Sequence, residues 1–336
     1  MTRTILLVAA LTVSLCAAAE PAVAADPLVL KFNSPAPPPS FLHAGAFNPW
    51  AKAVSEASDG TLKVEMYYGG TLGGFNVTYE RVLDGVADIG FILTALAKGK
   101  FRQQDVAALP FESKSSLAAA SALWKIYDQG ITAGEFDAVK PLGIWTFPNS
   151  AVNSRHPVKS LEDLKGRKVT VSNPIAGRTV ALLGAGPVAM PPSDVYQALS
   201  RGLADMALMP FTGVATFKID DVAKHHVDVA LGADSAVVFM SRKKWDALPP
   251  QAKAAIDKYS YLPFSEALGK AADAEWARSR GSLKDVTQLS DSEEARWKKL
   301  VEPVAQQWAT ETPDGAKVLE GFRAEVRAFE ASHKGK

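Results

Sequence analysis

Side chains able to do chemistry are sparse in this sequence and poorly spaced for catalysis. The five histidines are His43, His156, His225, His226 and His333. None stands at metal-ligand spacing from a second ligand except the adjacent His225-His226, whose side chains point apart on a strand or a helix. The reading is therefore no metal and no cofactor. No Gly-x-Ser-x-Gly elbow, HExxH or phosphate-binding loop is present. Gly184-Ala-Gly186 looks like part of a dinucleotide loop, but it ends a helix rather than starting one, and it reads better as a C-cap. The pairs Glu162-Asp163, Asp220-Asp221 and Glu293-Glu294 fall at helix starts or turns, where the helix dipole favours acidic residues. No nucleophile stands beside a base, so catalysis has no named residue.

Binding is then the chemistry left to place, and the elements say where. Strands are expected at Leu28–Phe32, Leu62–Tyr68, Ala87–Leu93, Leu142–Phe147, Lys168–Val171 and Ala204–Met209, with helices between most of them. That alternation predicts an α/β fold with mostly parallel sheets. After Val237-Val-Phe-Met240 the chain turns helical to its end. An internal echo divides the fold in two. Tyr79-Glu-Arg-Val-Leu-Asp-Gly85-Val-Ala-Asp88-Ile-Gly-Phe-Ile92 matches Tyr196-Gln-Ala-Leu-Ser-Arg-Gly202-Leu-Ala-Asp205-Met-Ala-Leu-Met209, with one residue of slip at the tyrosine. Both read helix, glycine stop, Ala-Asp and buried strand. Two similar halves facing each other would bind between the carboxyl ends of their strands. Phe91 to Thr94 and Met209 to Phe211 then lie at the cleft, one group from each half.

Composition fits that picture. The chain has 336 residues, 47% hydrophobic and 22% charged, enough for about two domains. Its 37 basic and 36 acidic residues leave a net charge of +1, which argues against nucleic acid as a partner. The single cysteine, Cys16, excludes an internal disulfide framework. It falls within an apolar stretch from Ile5 to Ala19 that follows Arg3 and precedes Ala22-Val23-Ala24-Ala25. This is the pattern of a secretory signal peptide over residues 1–25, too short to anchor in a membrane. An exported, periplasmic protein is expected. No Ser- or Gly-rich linker separates two beads, so two domains must be joined by crossing strands.

The ordered set of motifs is similar to the periplasmic substrate-binding proteins of tripartite ATP-independent periplasmic (TRAP) transporters, the dicarboxylate-binding type. The set runs Gly69-Gly-Thr-Leu-Gly73, Val86-Ala-Asp-Ile-Gly90, Leu109-Pro-Phe111, Pro157-Val-Lys-Ser-Leu-Glu-Asp-Leu-Lys-Gly166-Arg-Lys-Val, Gly184-Ala-Gly-Pro-Val-Ala-Met190, Ser193-Asp-Val-Tyr-Gln-Ala-Leu199 and Ser241-Arg-Lys-Lys-Trp-Asp-Ala-Leu-Pro249. The resemblance implies a two-lobed protein that closes on a small organic acid and hands it to TRAP membrane subunits. It also implies a long helix near Pro249 to Gly281 that braces both lobes. Lobe I is placed at 26–146 and 235–275, and lobe II at 147–234 and 276–336. A monomer is expected.

The resemblance further implies an arginine that forks onto the ligand carboxylate, at the position held here by Thr170. A second common arginine falls at Asn149, and a polar strand-end residue at Met209. Asn173 matches a frequent ligand contact. With three polar positions lost, the pocket is expected to be lined by Phe41, His43, Phe91, Thr94, Trp145, Phe147, Met209 and Phe211. An aromatic or apolar monocarboxylate is favoured over a dicarboxylate. Arg178, eight residues after Thr170, is the nearest cation that could replace the missing clamp. The rival readings are an exported α/β enzyme using the same cleft, or a sensor that presents its bound ligand to a receptor.

Overall fold

The computed structural model describes residues 26–333; the expected signal peptide at 1–25 lies outside them. The chain lays down β1 (Leu28–Asn33), β2 (Leu62–Tyr67), β3 (Ile89–Leu93) and β4 (Val139–Thr146) in a first sheet. It crosses to a second sheet and adds β5 (Ala151–Ser154), β6 (Lys168–Val171), β7 (Gly186–Ala189), β8 (Met206–Met209) and β9 (His225–Asp228). It then returns to the first sheet as β10 (Ser235–Ser241), and later reaches the second once more as β11 (Asp285–Gln288). The orders are β2-β1-β3-β10-β4 and β11-β9-β5-β8-β6-β7. This is the expected two-lobed α/β architecture. Its sheets depart from the parallel expectation by one strand each. The strand that has just crossed, β10 or β5, enters from the other lobe and runs antiparallel to both neighbours.

Between the strands lie α1 (Asn48–Ala57), α2 (Thr78–Leu83), α3 (Ser116–Asp128), α4 (Pro174–Leu182), α5 (Val195–Ser200) and α6 (Phe211–Thr216). After β10 come α7 (Arg242–Ala247), α8 (Pro250–Tyr259), α9 (Leu262–Ser282), α10 (Asp291–Val301), α11 (Pro303–Glu311) and α12 (Gly315–Ser332). The bracing helix is α9, which packs on α3 and β4 in one lobe and on α6 in the other. It comes this close to α3 because position 269 is glycine: a Cβ there would stand 2.8 Å from Leu117 Cα. One turn later, the Asp273 carboxylate accepts the exposed amides of Ser116 (2.8 Å) and Leu117 (3.0 Å) at the start of α3. The C-terminal helices divide between the lobes. Helices α10 and α11 pack on α4, while α12, placed with lobe II from the sequence, packs against α3 of lobe I.

The internal echo is one structural device used twice. Gly85 and Gly202 end α2 and α5 at φ 75° and 71°, a left-handed stop that suits glycine. Each following aspartate then clips a neighbouring strand. Asp88 accepts the Lys31 amide (2.8 Å) and donates its own amide to the Lys31 carbonyl (2.9 Å). Asp205 does the same with Lys168, at 2.9 and 2.8 Å.

The two crossing segments are bonded to each other. The Phe147 amide donates to Asp234 O (2.9 Å), Ser150 to Gly232 O (2.7 Å) and Leu231 to Ser150 O (3.2 Å). They form a short ribbon across the floor between the lobes.

Candidate functional site

The carboxyl ends of β1, β3 and β4 face those of β6 and β8 across that ribbon. Between them lies a cleft of about 640 Å³, mouth included. On the first lobe, the proline-rich loop after β1 presents Phe41, and Phe75, Phe91 and Phe147 complete an aromatic wall. Phe41 meets Phe147 edge-on at 6.3 Å between centroids, and Phe75 meets Phe91 edge-on at 6.0 Å. Such edge contacts suit the ring quadrupoles and hold the wall in one shape. The facing wall is built from Thr170 and Ser172 at the end of β6, Met209 at the end of β8, Thr212 and Phe217 around α6, and Met190. Among the described residues, no lysine, arginine or histidine lines the cleft.

Five of the residues expected from sequence meet here: Phe41, Phe91, Phe147, Thr170 and Met209. The others have structural partners elsewhere. Trp145 is fully buried behind Phe91, ring centroids 5.3 Å apart. His43 is buried, with Nε2 2.8 Å from Ser34 Oγ and Nδ1 3.1 Å from Pro38 O, which pins the proline loop. Burial holds its pKa below the usual histidine value. Thr94 bonds Ser235 Oγ (2.6 Å) and donates to Asp105 Oδ1 (3.0 Å). Asn149 donates to Ser113 O at 2.8 Å. Phe211 begins α6 but packs under it, stacked on Trp276 at 6.2 Å.

Arg178 is the largest departure. It lines a separate cavity with Thr94, Arg102, Asp105 and Trp308. Its Nη2 lies 2.6 Å from Glu311 Oε2. The helix that should have aimed it at the cleft instead turns it toward the end of α11.

Asn173 acts at one remove. Its side-chain oxygen caps α4 by accepting the Ala176 amide (2.7 Å), and its Nδ2 donates to Asp234 Oδ1 (2.7 Å). Asp234 is the residue that sequence reasoning missed. Half-buried, it reaches the cleft from the crossing segment and also accepts from Ser172 Oγ, at 2.9 and 2.7 Å. Burial raises its pKa, and the Ser172 and Asn173 bonds oppose that rise. Thr212 Oγ1 was missed as well; it is buried in the wall with no partner among the described residues. No local motif marks either residue. Asp234 matters only because the ribbon carries it beside residue 172, some sixty positions away in sequence.

This architecture of two lobes, paired crossing segments and an apolar cleft between them defines a binding protein that folds around its ligand. Residues 32–312 match the family of bacterial extracellular solute-binding proteins, family 7 (DctP). The fold matches a TRAP solute-binding protein of Rhodoferax ferrireducens, solved with copurified benzoate, at TM-score 0.86 and 26% identity, covering 91% of this chain and 99% of that one. A TRAP solute-binding protein from a marine metagenome, specific for aromatic acid ligands and solved with 3-hydroxybenzoate, also matches at 0.86 and 26%, covering 90% and 99%. The C4-dicarboxylate-binding periplasmic protein DctP of Rhodobacter capsulatus is 27% identical, covering 96% of this chain and 98% of its own. The chain belongs to family 7 of the bacterial extracellular solute-binding proteins, the DctP type that serves TRAP transporters. Proteins of this type bind small organic acids in the periplasm for delivery to TRAP membrane subunits.

Proposed function

We propose that this protein captures an aromatic or otherwise apolar monocarboxylate, without turning it over. The lobes close on the acid by bending at the crossing ribbon, and the closed form is delivered to TRAP membrane subunits. One observation carries the reading: phenylalanines from one lobe and methionines from the other line a cleft that has no basic side chain among the described residues. A flat ring fills such walls, and burying its faces is favourable at roughly 25 cal/mol per Å². A dicarboxylate would bring a second charge into an apolar space with nothing to pair it, at a cost of several kcal/mol. The benzoate and 3-hydroxybenzoate found in the two structural relatives support the same class.

A thermal-shift screen tests this. Benzoate, 3-hydroxybenzoate and mandelate should raise the melting temperature, while succinate, malate and glucuronate should not. Strong shifts with C4-dicarboxylates alone would replace the reading. Recovery of each bound acid unchanged after prolonged incubation tests the absence of turnover.

A further inference from the structure

We infer that the cleft takes up its acid together with one proton, shared between the ligand carboxylate and the carboxyl group of Asp234. The inference rests on the monocarboxylate reading above. Its basis is the position of Asp234. Among the described residues lining the cleft, it is the only one whose side chain titrates. A ligand carboxylate enclosed by the same walls would place two negative charges in an apolar space. Two carboxyls in that situation hold one proton between them, because both cannot stay ionised without a cation.

The geometry leaves room for such a contact. Asp234 Oδ1 accepts from both Ser172 and Asn173, whereas Oδ2 has Ser172 as its one partner among the described residues. The carboxyl is thereby held in one orientation with one oxygen less occupied. Among the described residues, the neighbouring elements offer two hydrogen-bond donors but no cation to offset a second negative charge beside it. From the loop between β6 and α4 come only the neutral Ser172 and Asn173. From the segment before α3 comes Asp105, another acid, itself pushed up to about 8 by burial and by the charges of Glu135 and Asp234. Arg102 opposes the shift on Asp105, but it lines the other cavity and donates to the Glu311 carbonyl at 2.6 Å. Arg178 is paired with Glu311 in that same cavity. The proton therefore does the work that an arginine does elsewhere, and it selects for acids that can share a proton over ions that must keep two charges.

Calorimetric titration of the whole protein with benzoate, from pH 5.5 to 8.5 in buffers of different ionisation heat, reads the proton directly. Proton uptake should rise with pH toward about one per ligand, and where it reaches one Kd should grow about tenfold per pH unit. Asp234→Asn should abolish the uptake and flatten the dependence of Kd on pH. Ser172→Ala keeps the acid but removes a bond that favours its ionised form, so it should move the alkaline loss of affinity to higher pH. Should Asp234→Asn fail to fold, the wild-type and Ser172→Ala titrations decide the matter. Benzoate binding without proton uptake, or uptake that survives Asp234→Asn, overturns the inference while leaving the monocarboxylate reading standing. Failure of benzoate, 3-hydroxybenzoate and mandelate to bind at any pH in the range overturns both.

Discussion

Arg178 Nη2 stands 2.6 Å from Glu311 Oε2, an ion pair that fastens α4 to the last turn of α11. Both side chains keep roughly a third or more of their surface in solvent, 34% and 42%. Solvent screens partly exposed pairs of this kind, and they contribute little to stability. Arg178→Ala should therefore lower stability only slightly in chemical denaturation and leave benzoate affinity within about twofold of wild type. A tenfold loss of affinity would return Arg178 to the ligand.

Phe147 is placed where the first crossing begins, edge-on to Phe41 and 6.3 Å from Phe91. Removing the ring opens the aromatic wall without touching a polar group. Phe147→Ala should weaken aromatic-acid binding by roughly 1–3 kcal/mol, the usual scale for an aromatic anchor. Equal affinity in titration calorimetry would show that the ring packs only against its neighbours.

His226 supports the opposite wall from below. Its Nδ1 lies 2.8 Å from Asn153 Oδ1, and Asn153 in turn donates to Met209 O at 2.9 Å. Burial pushes the pKa of His226 down to about 4 from 6.5. The unfolded chain takes up this proton as pH falls below 6.5, while the folded chain resists until about 4. Stability from this residue is therefore complete above pH 6.5 and is lost as pH falls toward 4, by up to about 3 kcal/mol. Urea denaturation at pH 7 and pH 4.5 should show the loss, and His226→Gln should reduce the difference between the two.

Gly269 carries the contact between α9 and α3. A methyl group there would meet Leu117 Cα and Ser116 O, both at 2.8 Å, and neither is a side chain that can swing aside. Gly269→Ala should destabilise the protein by about 1–3 kcal/mol, as overpacking does, despite alanine's better helix propensity. A gain in melting temperature would mean that the two helices separate easily.

The sequence was most readable where a local rule leaves one outcome. Gly85-Val-Ala-Asp88 and Gly202-Leu-Ala-Asp205 announced two matching helix-to-strand units, and both end at the cleft. Phe91 and Met209 followed, because ligands collect at strand ends. Side chains one or two positions off those ends were not readable. Phe211 and Met209 are two residues apart, yet Phe211 packs on Trp276 of α9 and Met209 faces the cleft. That choice is made by a helix some sixty residues later. His43 and Trp145 looked like lining and are support. The aromatic wall needed something rigid behind it, and composition does not distinguish the front layer from the back. Asp234 was invisible for a related reason, since its partners Ser172 and Asn173 come from another lobe segment.

The place of β10 between β3 and β4 sets the order in which this chain can fold. Until residue 241 is available, the first sheet has a gap at its centre, with β3 and β4 each exposing an unsatisfied edge. The second sheet waits longer still, for β11 at Asp285–Gln288. Neither lobe is a contiguous stretch that could finish early while the remainder is being made. A fragment stopping before Ser235 would hold most of both lobes and complete neither, so cooperative folding is deferred until the last third of the chain has emerged. A protein wired this way stays open-edged during synthesis, which keeps it threadable through a membrane pore and also makes it dependent on protection from aggregation until its end arrives.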